Sequence, residues 1–388
     1  MASSRRARYS ARTGTIVKPP APKPWQRSLL GAIDRTRDLF SGSTRYEMAV
    51  LFRSLAELIE SGVLISNAVA VIRPSLESVP MKLALHQVEM SVSRGLTPSQ
   101  AFSLCPDVFP EIVVRMSEVG ERSGSFPEML RRLAEYFEQQ VSIFLKVRSA
   151  LTYPLLVLVL CGAIVILLPG FLLDGVFRML RDLDAEIPMS TRALMTLSDL
   201  VRDPFAWLVG AGAVVAAALV YRRRMRNREI RRKRDAWLLR LRGVGPCLRH
   251  IALLRFTAAL EVMMSTGTPI LVALTVAGKA AQNLVFEDAA EQVGQALKAG
   301  IPLHVSLGRT HIMPRIHTQL VAMGEESGSM TEMLKQCAWL SELEIEQRIG
   351  AALAALEPAV MMFMGAVVGF ICLATLSPML QALQKMAL

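Results

Sequence analysis

The chain has 388 residues, of which 52% are hydrophobic and 6% aromatic, and its formal net charge is +11 at pH 7. This length fits two domains of ordinary size, and the high apolar fraction argues against a purely soluble protein. The five cysteines form no C-x-x-C pair, so neither a disulfide framework nor a zinc site is predicted.

Residues 1–45 form a basic, proline-containing segment without an apolar core. We expect a disordered cytoplasmic arm here rather than a cleavable signal peptide. Its positive charge would attract anionic lipid headgroups.

Residues 46–148 predict a cytoplasmic bundle of antiparallel helices. Leu51 and Leu55 fall on one face of its first helix, which Gly62 is expected to terminate. A later helix, which begins at Glu111, is expected to end where a Gly-Glu-x-Ser-Gly loop reverses the chain. The residues of that loop are Gly120, Glu121, Ser123 and Gly124.

The next helix is predicted to lead toward a membrane. Ser125 and Glu128 have the spacing of a capping box, which favours a helix start at this point. Crossing a bilayer takes roughly 20 mostly apolar residues in a helix. Three stretches qualify, namely 149–173, 204–221 and 351–384, the last with a cytoplasmic lead-in.

The basic residues beside these spans predict their orientation. Arg222 to Arg234 holds nine Arg or Lys in thirteen positions, so this flank should be cytoplasmic. The loop 174–203 and the tail 385–388 would then be periplasmic. Residues 222–350, a basic linker followed by a second helical bundle, would be cytoplasmic like the first bundle.

The second bundle repeats the first at an offset of 204 or 205 positions. Leu55 parallels Leu260, and Pro110 parallels Pro314. The loop motif returns as Gly324, Glu325, Ser327 and Gly328, and Tyr153-Pro154 of the first copy stands opposite Glu357-Pro358 of the second. The sequence therefore predicts a duplicated unit, in which a soluble helical bundle precedes a membrane helix.

Glu121 and Glu325 are the acids that could suggest catalysis or metal binding. No nucleophile or base has a regular spacing to either one. A structural role is favoured, in which each carboxylate accepts hydrogen bonds from free amides at a helix start.

These paired features resemble the type II secretion F / type IV pilus PilC family, from about residue 46 to the C-terminus. The resemblance implies an all-α, polytopic inner-membrane platform protein with two homologous cytoplasmic bundles, three transmembrane helices and a cytoplasmic N-terminus. It also implies a homo-oligomer that contacts an assembly ATPase, pilin or pseudopilin subunits and other inner-membrane assembly proteins, with no cofactor. The compact chain is similar to the type IVb pilus branch.

The resemblance implies a non-enzymatic protein that couples the ATPase to insertion of pilins into the fibre, or to their removal. The sequence contains no G-x-x-x-x-G-K-[ST], H-E-x-x-H or G-x-S-x-G motif, so the energy must come from a partner. Arg131 and Arg132 are candidates for contact with that partner.

Glu357 at the edge of the third span has two interpretations. It could meet a cationic or hydrogen-bonding group of another subunit or of a pilin, or it could be an interfacial acid stabilised by water. Tyr153, its counterpart, is explained as an interfacial aromatic residue.

Two other functions remain open. A small oligomeric transporter or channel subunit would also show repeats, although these spans lack the polar residues of a transport path. A membrane-tethered regulator could use the arginine run on DNA, but that run has no interleaved aromatic residues, so no nucleic-acid partner is predicted.

Overall fold

The structure is a computed structural model, and it describes residues 43–182, 212–213, 216–221, 224, 227–241 and 243–386. Every regular element in these residues is a helix, so this part of the chain is all-α as predicted. The chain divides into two compact units, Met1–Val141 and Ser142–Leu388. The predicted arm lies outside the described residues except for residues 43–45, which open the first helix.

In the first unit, short turns join helices that pack mainly on their neighbours in the chain. Helix α2 packs on α1 and α3, and α4 packs on α3 and α5. The helices are α1 (Ser43–Glu60), α2 (Ile65–Ile72, followed by a 3-10 turn over Arg73–Ser75), α3 (Val79–Ser93), α4 (Pro98–Ser103), α5 (Glu111–Ser123) and the first part of α6 (Phe126–Asp182).

Gly62 ends α1 in the way that its sequence position predicts. Its φ is 85°, a left-handed value that residues with a Cβ adopt only at a cost. The Gly62 N–H donates to the Ile59 carbonyl at 2.9 Å, and the Val63 N–H donates to the Leu58 carbonyl at 3.0 Å. These two bonds form a Schellman motif, which satisfies carbonyls that the helix end would otherwise leave free.

Helix α5 does not end at Gly120, as the sequence suggested. It continues through Glu121 to Ser123, and Gly124, with φ of 71°, is the first residue to leave it. The helix continues because Gly120 keeps helical geometry, so the left-handed turn falls at the second glycine of the motif. The loop between α5 and α6 is therefore shorter than predicted.

Four phenylalanine rings form the centre of the first unit. Phe52 stacks on Phe137 with ring centroids 5.7 Å apart, and Phe102 meets Phe109 edge to face at 4.8 Å. None of the four side chains is more than 4% exposed. Burying each such ring contributes about 1.5–3 kcal/mol, so this cluster joins α1, α4 and α6 into one core.

The second unit repeats the order of the helices that the structure describes in the first, and helix α7 precedes this repeat. Helices α8 to α13 correspond in order to α1 to α6, and α8 packs against α9 and α13. The helices are α7 (Arg228–Arg240), α8 (Gly245–Ser265), α9 (Ile270–Ala280), α10 (Leu284–Lys298), α11 (Leu303–Thr310), α12 (Arg315–Ser327) and α13 (Met330–Met386).

Helix α7 corrects the prediction of a basic linker. Asn227 caps its first turn by accepting the Glu229 N–H at 3.0 Å, and the helix packs on α8 and α10. Arg232 forms an ion pair with Asp288 of α10 at 2.7 Å. From the sequence, the arginine run is explained by membrane topology and by attraction to anionic lipid headgroups, because its acidic partners lie far along the chain.

Helices α6 and α13 are each 57 residues long. Within the described residues, two segments are long and apolar enough to cross a membrane, Phe126–Leu160 and Met330–Phe370. The first and third predicted spans fall in these helices. Helix α6 continues beyond residue 173 to Asp182, and most of the second predicted span, 204–221, lies outside the described residues.

Candidate functional site

The two Gly-Glu-x-Ser-Gly segments lie where α5 meets α6 and where α12 meets α13. Their first glycines sit at close helix contacts. A Cβ atom on Gly120 would lie 2.9 Å from the Phe126 Cα, and a Cβ on Gly324 would lie 3.0 Å from the Met330 Cα. At both corners the next helix therefore approaches to a distance that leaves room for a hydrogen atom alone.

The glutamate of each motif caps a helix that precedes it by about 20 residues. Glu121 accepts hydrogen bonds from the backbone N–H of Ser99 at 2.5 Å and from its hydroxyl at 2.7 Å. In the second unit, Glu325 accepts the backbone N–H groups of Leu303 at 2.8 Å and His304 at 3.1 Å. The carboxylates thus satisfy free amides at the starts of α4 and α11.

His304 adds a side-chain contact to Glu325, with 2.6 Å between His304 Nδ1 and a carboxylate oxygen. Partial burial raises the pKa of Glu325, but the hydrogen bonds from His304 and from the Leu303 and His304 amides outweigh it. The pKa of Glu325 is therefore lowered, and the acid stays ionised at neutral pH as the cap requires.

The serines of the motif bond locally. The Ser123 hydroxyl donates to the Val119 carbonyl at 2.8 Å and lies 2.6 Å from the Ser125 hydroxyl. The predicted partner of Ser125, Glu128, instead bonds Arg132 at 3.0 Å. The second unit repeats the serine contacts, with 2.6 Å from the Ser327 hydroxyl to the Ser329 hydroxyl and to the Met323 carbonyl.

The last glycine completes the corner, because both Gly124 and Gly328 have φ of 71°. The two glycines, the glutamate and the serine of the motif therefore each have a structural contact or a backbone requirement in both copies. The middle residue, Arg122 or Glu326, is exposed, and Arg122 forms an ion pair with Glu118 at 2.7 Å. Within the described residues, no three His, Cys, Asp or Glu side chains are placed to hold a metal ion.

The other predicted residues lie along the long helices. Tyr153 is 66% exposed in α6 and Pro154 is buried, whereas Glu357 and Pro358 are both exposed in α13. In α6, two arginines also form ion pairs. Arg131 bonds Glu60 at the end of α1, and Arg132 bonds Glu128 one turn earlier.

Comparison with protein families places the same unit twice in the chain. The model for "Type II secretion system (T2SS), protein F" matches residues 51–173 and 256–378. The chain belongs to this family. Both matches contain a helical bundle and the apolar helix after it, which is the duplicated unit that the sequence predicted.

Several curated members of the family are similar to the chain over most of their length. The "Type IV pilus assembly protein PilC" of Myxococcus xanthus is 32% identical over 85% of this chain and 79% of the relative. The Thermus thermophilus protein of the same name is 31% identical, over 84% and 80%. The "Type II secretion system protein F" of Xanthomonas campestris is also 31% identical, over 84% and 80%.

Sequence reasoning missed a buried histidine pair in the second unit. His317 is 1% exposed and its Nε2 lies 2.9 Å from the Ser341 hydroxyl. His250 is 6% exposed, with its Nε2 3.9 Å from a Glu344 oxygen. The repeat register gave a signal, because His317 stands opposite the buried Val113 and Ser341 stands opposite Phe137.

Two further capping acids were also missed. Glu47 of α1 accepts the Ser78 N–H at 2.7 Å, at the start of α3. Asp235 of α7 accepts the Leu284 N–H at 3.2 Å, at the start of α10. The sequence repeat does not reveal these acids, because Glu47 corresponds to Ala252 in the second copy. The two capping acids come from helices that do not correspond to each other.

Proposed function

We propose that this chain is a non-enzymatic inner-membrane platform of a type IV pilus or type II secretion machine. Family membership carries the proposal, through two matches to the protein F model and through relatives named for pilus assembly and for type II secretion. The platform would couple a cytoplasmic assembly ATPase to the insertion of pilins or pseudopilins into a fibre, or to their removal.

The surface of the long helices supports the membrane part of the proposal. In α6, Leu155, Leu156 and Val159 are each at least 62% exposed, and in α13 Met361 and Met362 are at least 66% exposed. Contiguous exposed apolar side chains are unfavourable in water and are satisfied by lipid. We propose three spans, with the second at residues 204–221, and both helical units in the cytoplasm.

The chemistry of the motif supports a non-catalytic role. Glu121 and Glu325 use their carboxylate oxygens as helix caps, so neither acid is left free to act as a base. The force for fibre assembly would then come from the ATPase. Arg131 and Arg132 are proposed contacts for that ATPase, and Glu357 is proposed to contact a pilin or a neighbouring subunit.

The test is deletion of the gene in its host, followed by complementation. Loss of surface fibres or of protein secretion, restored by the full chain, is expected. The Arg131→Gln/Arg132→Gln double variant and Glu357→Gln should each insert normally in the membrane but restore less than half of the wild-type fibre or secretion level. Lys82→Gln, a change on α3, is the matched control and should restore full function.

Three results would contradict the proposal. One is normal piliation and secretion in the deletion strain. The second is hydrolysis of ATP by the purified chain alone. The third is solute flux through proteoliposomes that contain only this chain, which would favour a transporter or channel subunit.

A further inference from the structure

An exposed apolar corner lies where the first turns of α1 meet the start of α3. Val50 of α1 is 38% exposed, and Val79 and Leu83, one turn apart on α3, are 42% and 47% exposed. Glu47, one turn before Val50, accepts the Glu77 and Ser78 N–H groups and so links this part of α1 to the start of α3. We call this surface, formed by Val50, Val79, Leu83 and Glu47, the α1–α3 corner.

At the α1–α3 corner, one carboxylate oxygen of Glu47 is buried without a hydrogen-bond donor among the described residues. Its side chain is 94% buried, since Glu47 is 6% exposed, and its Oε1 accepts the Glu77 and Ser78 N–H groups at 2.8 and 2.7 Å. Its Oε2 is buried too, and no donor among the described residues bonds it. Thr44 Oγ1, one turn earlier on the same face of α1, is also buried and has no hydrogen-bond partner among the described residues. A buried carboxylate oxygen without a donor is costly, so the corner needs a cationic or polar partner.

The second unit shows what completes the corresponding corner. There α7, the helix directly before the bundle, packs on α8 and α10. Leu284, the counterpart of Val79, is only 4% exposed beside it. Asp288, the counterpart of Leu83, forms an ion pair with Arg232 of α7 at 2.7 Å.

The acid at that corner has partners for both of its oxygens. Asp235 Oδ2 accepts the Leu284 N–H at 3.2 Å, and Oδ1 accepts the Arg234 guanidinium at 2.9 and 2.5 Å. A helix N–H and an arginine thus share the carboxylate. In the first unit the helix N–H bonds are present, and the missing partner has the chemistry of an arginine.

The segment before α1 has the composition that the corner requires. Residues 1–42 contain nine Lys or Arg and two Asp, which complements an unpaired carboxylate. Apolar residues recur in this segment at the spacing of one helix face, as Trp25, Leu29, Leu30 and Ile33. Like α7, the segment directly precedes its bundle and lies outside the matched family segments.

We propose that residues 25–40 dock on the α1–α3 corner as the counterpart of α7. The apolar face of the segment packs on Val50, Val79 and Leu83, and one of its arginines bonds Glu47 Oε2. This departs from the expectation that the whole arm is disordered. This segment is favoured over a separate partner, because it is joined to α1 at Ser43 and therefore has a high effective concentration at the α1–α3 corner.

Photo-crosslinking of the full chain in membranes tests the contact. A benzoylphenylalanine at position 83 should give a product of monomer mass, with the crosslink mapped to residues 25–40. The same probe at Leu64 is the control, because Leu64 is 71% exposed but lies beyond Glu60, the far end of α1, which is about 24 Å along the helix axis from Thr44.

Other crosslink products would overturn the proposal. A product of dimer mass would show that a second copy occupies the corner, and a lipid adduct would show that the corner faces headgroups. An adduct with another protein, or equal yields of arm crosslink from positions 64 and 83, would also contradict it.

Hydrogen exchange of the full chain tests the arginine contact separately. Replacing Arg27, Arg35 and Arg37 by Gln should raise amide exchange at residues 77–83 by about tenfold, because Glu47 loses its cation. Replacing Arg5, Arg6 and Arg8 by Gln removes the same charge from the distal arm and should leave these amides unchanged. Equal exchange in the two variants would refute the contact.

Discussion

At the scale of single residues, the glycines of the duplicated motif have two different tasks. Gly124 and Gly328 supply a left-handed turn, with φ of 71°. Gly120 and Gly324 lie inside their helices and are needed for a second reason, since a Cβ on either would meet the backbone of the next helix at 3.0 Å or less. A side chain there can be accommodated only if the two helices separate.

Gly324→Ala should therefore destabilise the second unit by about 1–3 kcal/mol, the usual cost of overpacking a close contact. The measurement is urea unfolding of the full chain in detergent, followed by the fluorescence of Trp237 and Trp339. Gly294→Ala is the matched control, because a Cβ at this helical glycine meets no atom within 4 Å. The control should be neutral or slightly stabilising, by up to about 1 kcal/mol, and a loss equal to that of Gly324→Ala would refute the packing argument.

The buried histidines give the second unit a pH dependence. Burial, with a smaller contribution from the nearby His250, lowers the pKa of His317 to about 4. Burial also lowers the pKa of His250, and Arg348 and Arg249 add to this effect against the opposing charge of Glu344. The fold therefore favours both rings in their neutral form.

Because the pKa of His317 is lower in the folded state than in the unfolded state, its contribution to stability is complete above about pH 6.5. It is lost as the pH falls from 6.5 toward 4, by about 3 kcal/mol in total. His317→Val, which installs the residue of the first unit, should flatten this part of the profile when unfolding free energy is measured against pH. His86→Val, a change in the first unit, is the control for the loss of a histidine elsewhere in the chain. An unchanged slope in His317→Val would count against the assignment.

At the scale of elements, helix starts in both units depend on acids from elsewhere in the chain. Glu121 and Glu325 cap α4 and α11, Glu47 caps α3 and Asp235 caps α10. The first pair occupies equivalent positions, whereas the second pair comes from α1 and from α7. The two repeats therefore satisfy the same helix start by different routes.

Asp235→Ala should destabilise the second unit by about 2 kcal/mol, because the change leaves the buried Leu284 N–H without its acceptor and removes the bond between Asp235 and the Arg234 guanidinium. The change should also release α7, which amide hydrogen exchange over 228–240 would detect. Asp288→Ala is the control, since it removes partly exposed ion pairs that are worth less than about 1 kcal/mol. Equal losses of unfolding free energy in the two variants would show that the cap of α10 by Asp235 adds no stability beyond that of a surface ion pair.

At the scale of the whole molecule, the chain consists of two units with the same helix order, each continuing into a helix of 57 residues. Their interiors differ. The first has a cluster of phenylalanines. The second has Thr257, His317 and Ser341 at the positions that correspond to Phe52, Val113 and Phe137 in the sequence repeat. The two units share one architecture, but the second has three buried polar side chains where the first has apolar ones.

The proposed topology predicts the location of reporter fusions along the chain. Fluorescent-protein fusions at residues 148 and 300 should be bright, and alkaline phosphatase fused at residue 190 or 388 should be active, because three spans place these sites on opposite sides of the membrane. Phosphatase activity at 148 or 300 would place one helical unit outside the cytoplasm and would contradict the proposal.

Features that depend on neighbours in the chain could be predicted from the sequence. Gly62 ends α1, Thr97 and Pro98 start α4, and the apolar run after each bundle marks the long helix. Each of these follows from local physics, namely a left-handed glycine, a side chain that caps its own helix, or the number of apolar residues in succession. The repeat register likewise needs nothing beyond the order of residues.

The tertiary structure alone decided which groups meet. It brings Glu121 to Ser99 across 22 positions, joins His317 to Ser341, and turns a basic stretch into the helix α7 that pairs with Asp288. No spacing rule connects such residues, because the free energy of these contacts depends on distance in space and on burial. The sequence by itself determined the duplicated order of the helices and local turns such as the end of α1 at Gly62, because these depend on neighbours in the chain. The packing determined which buried polar groups have partners.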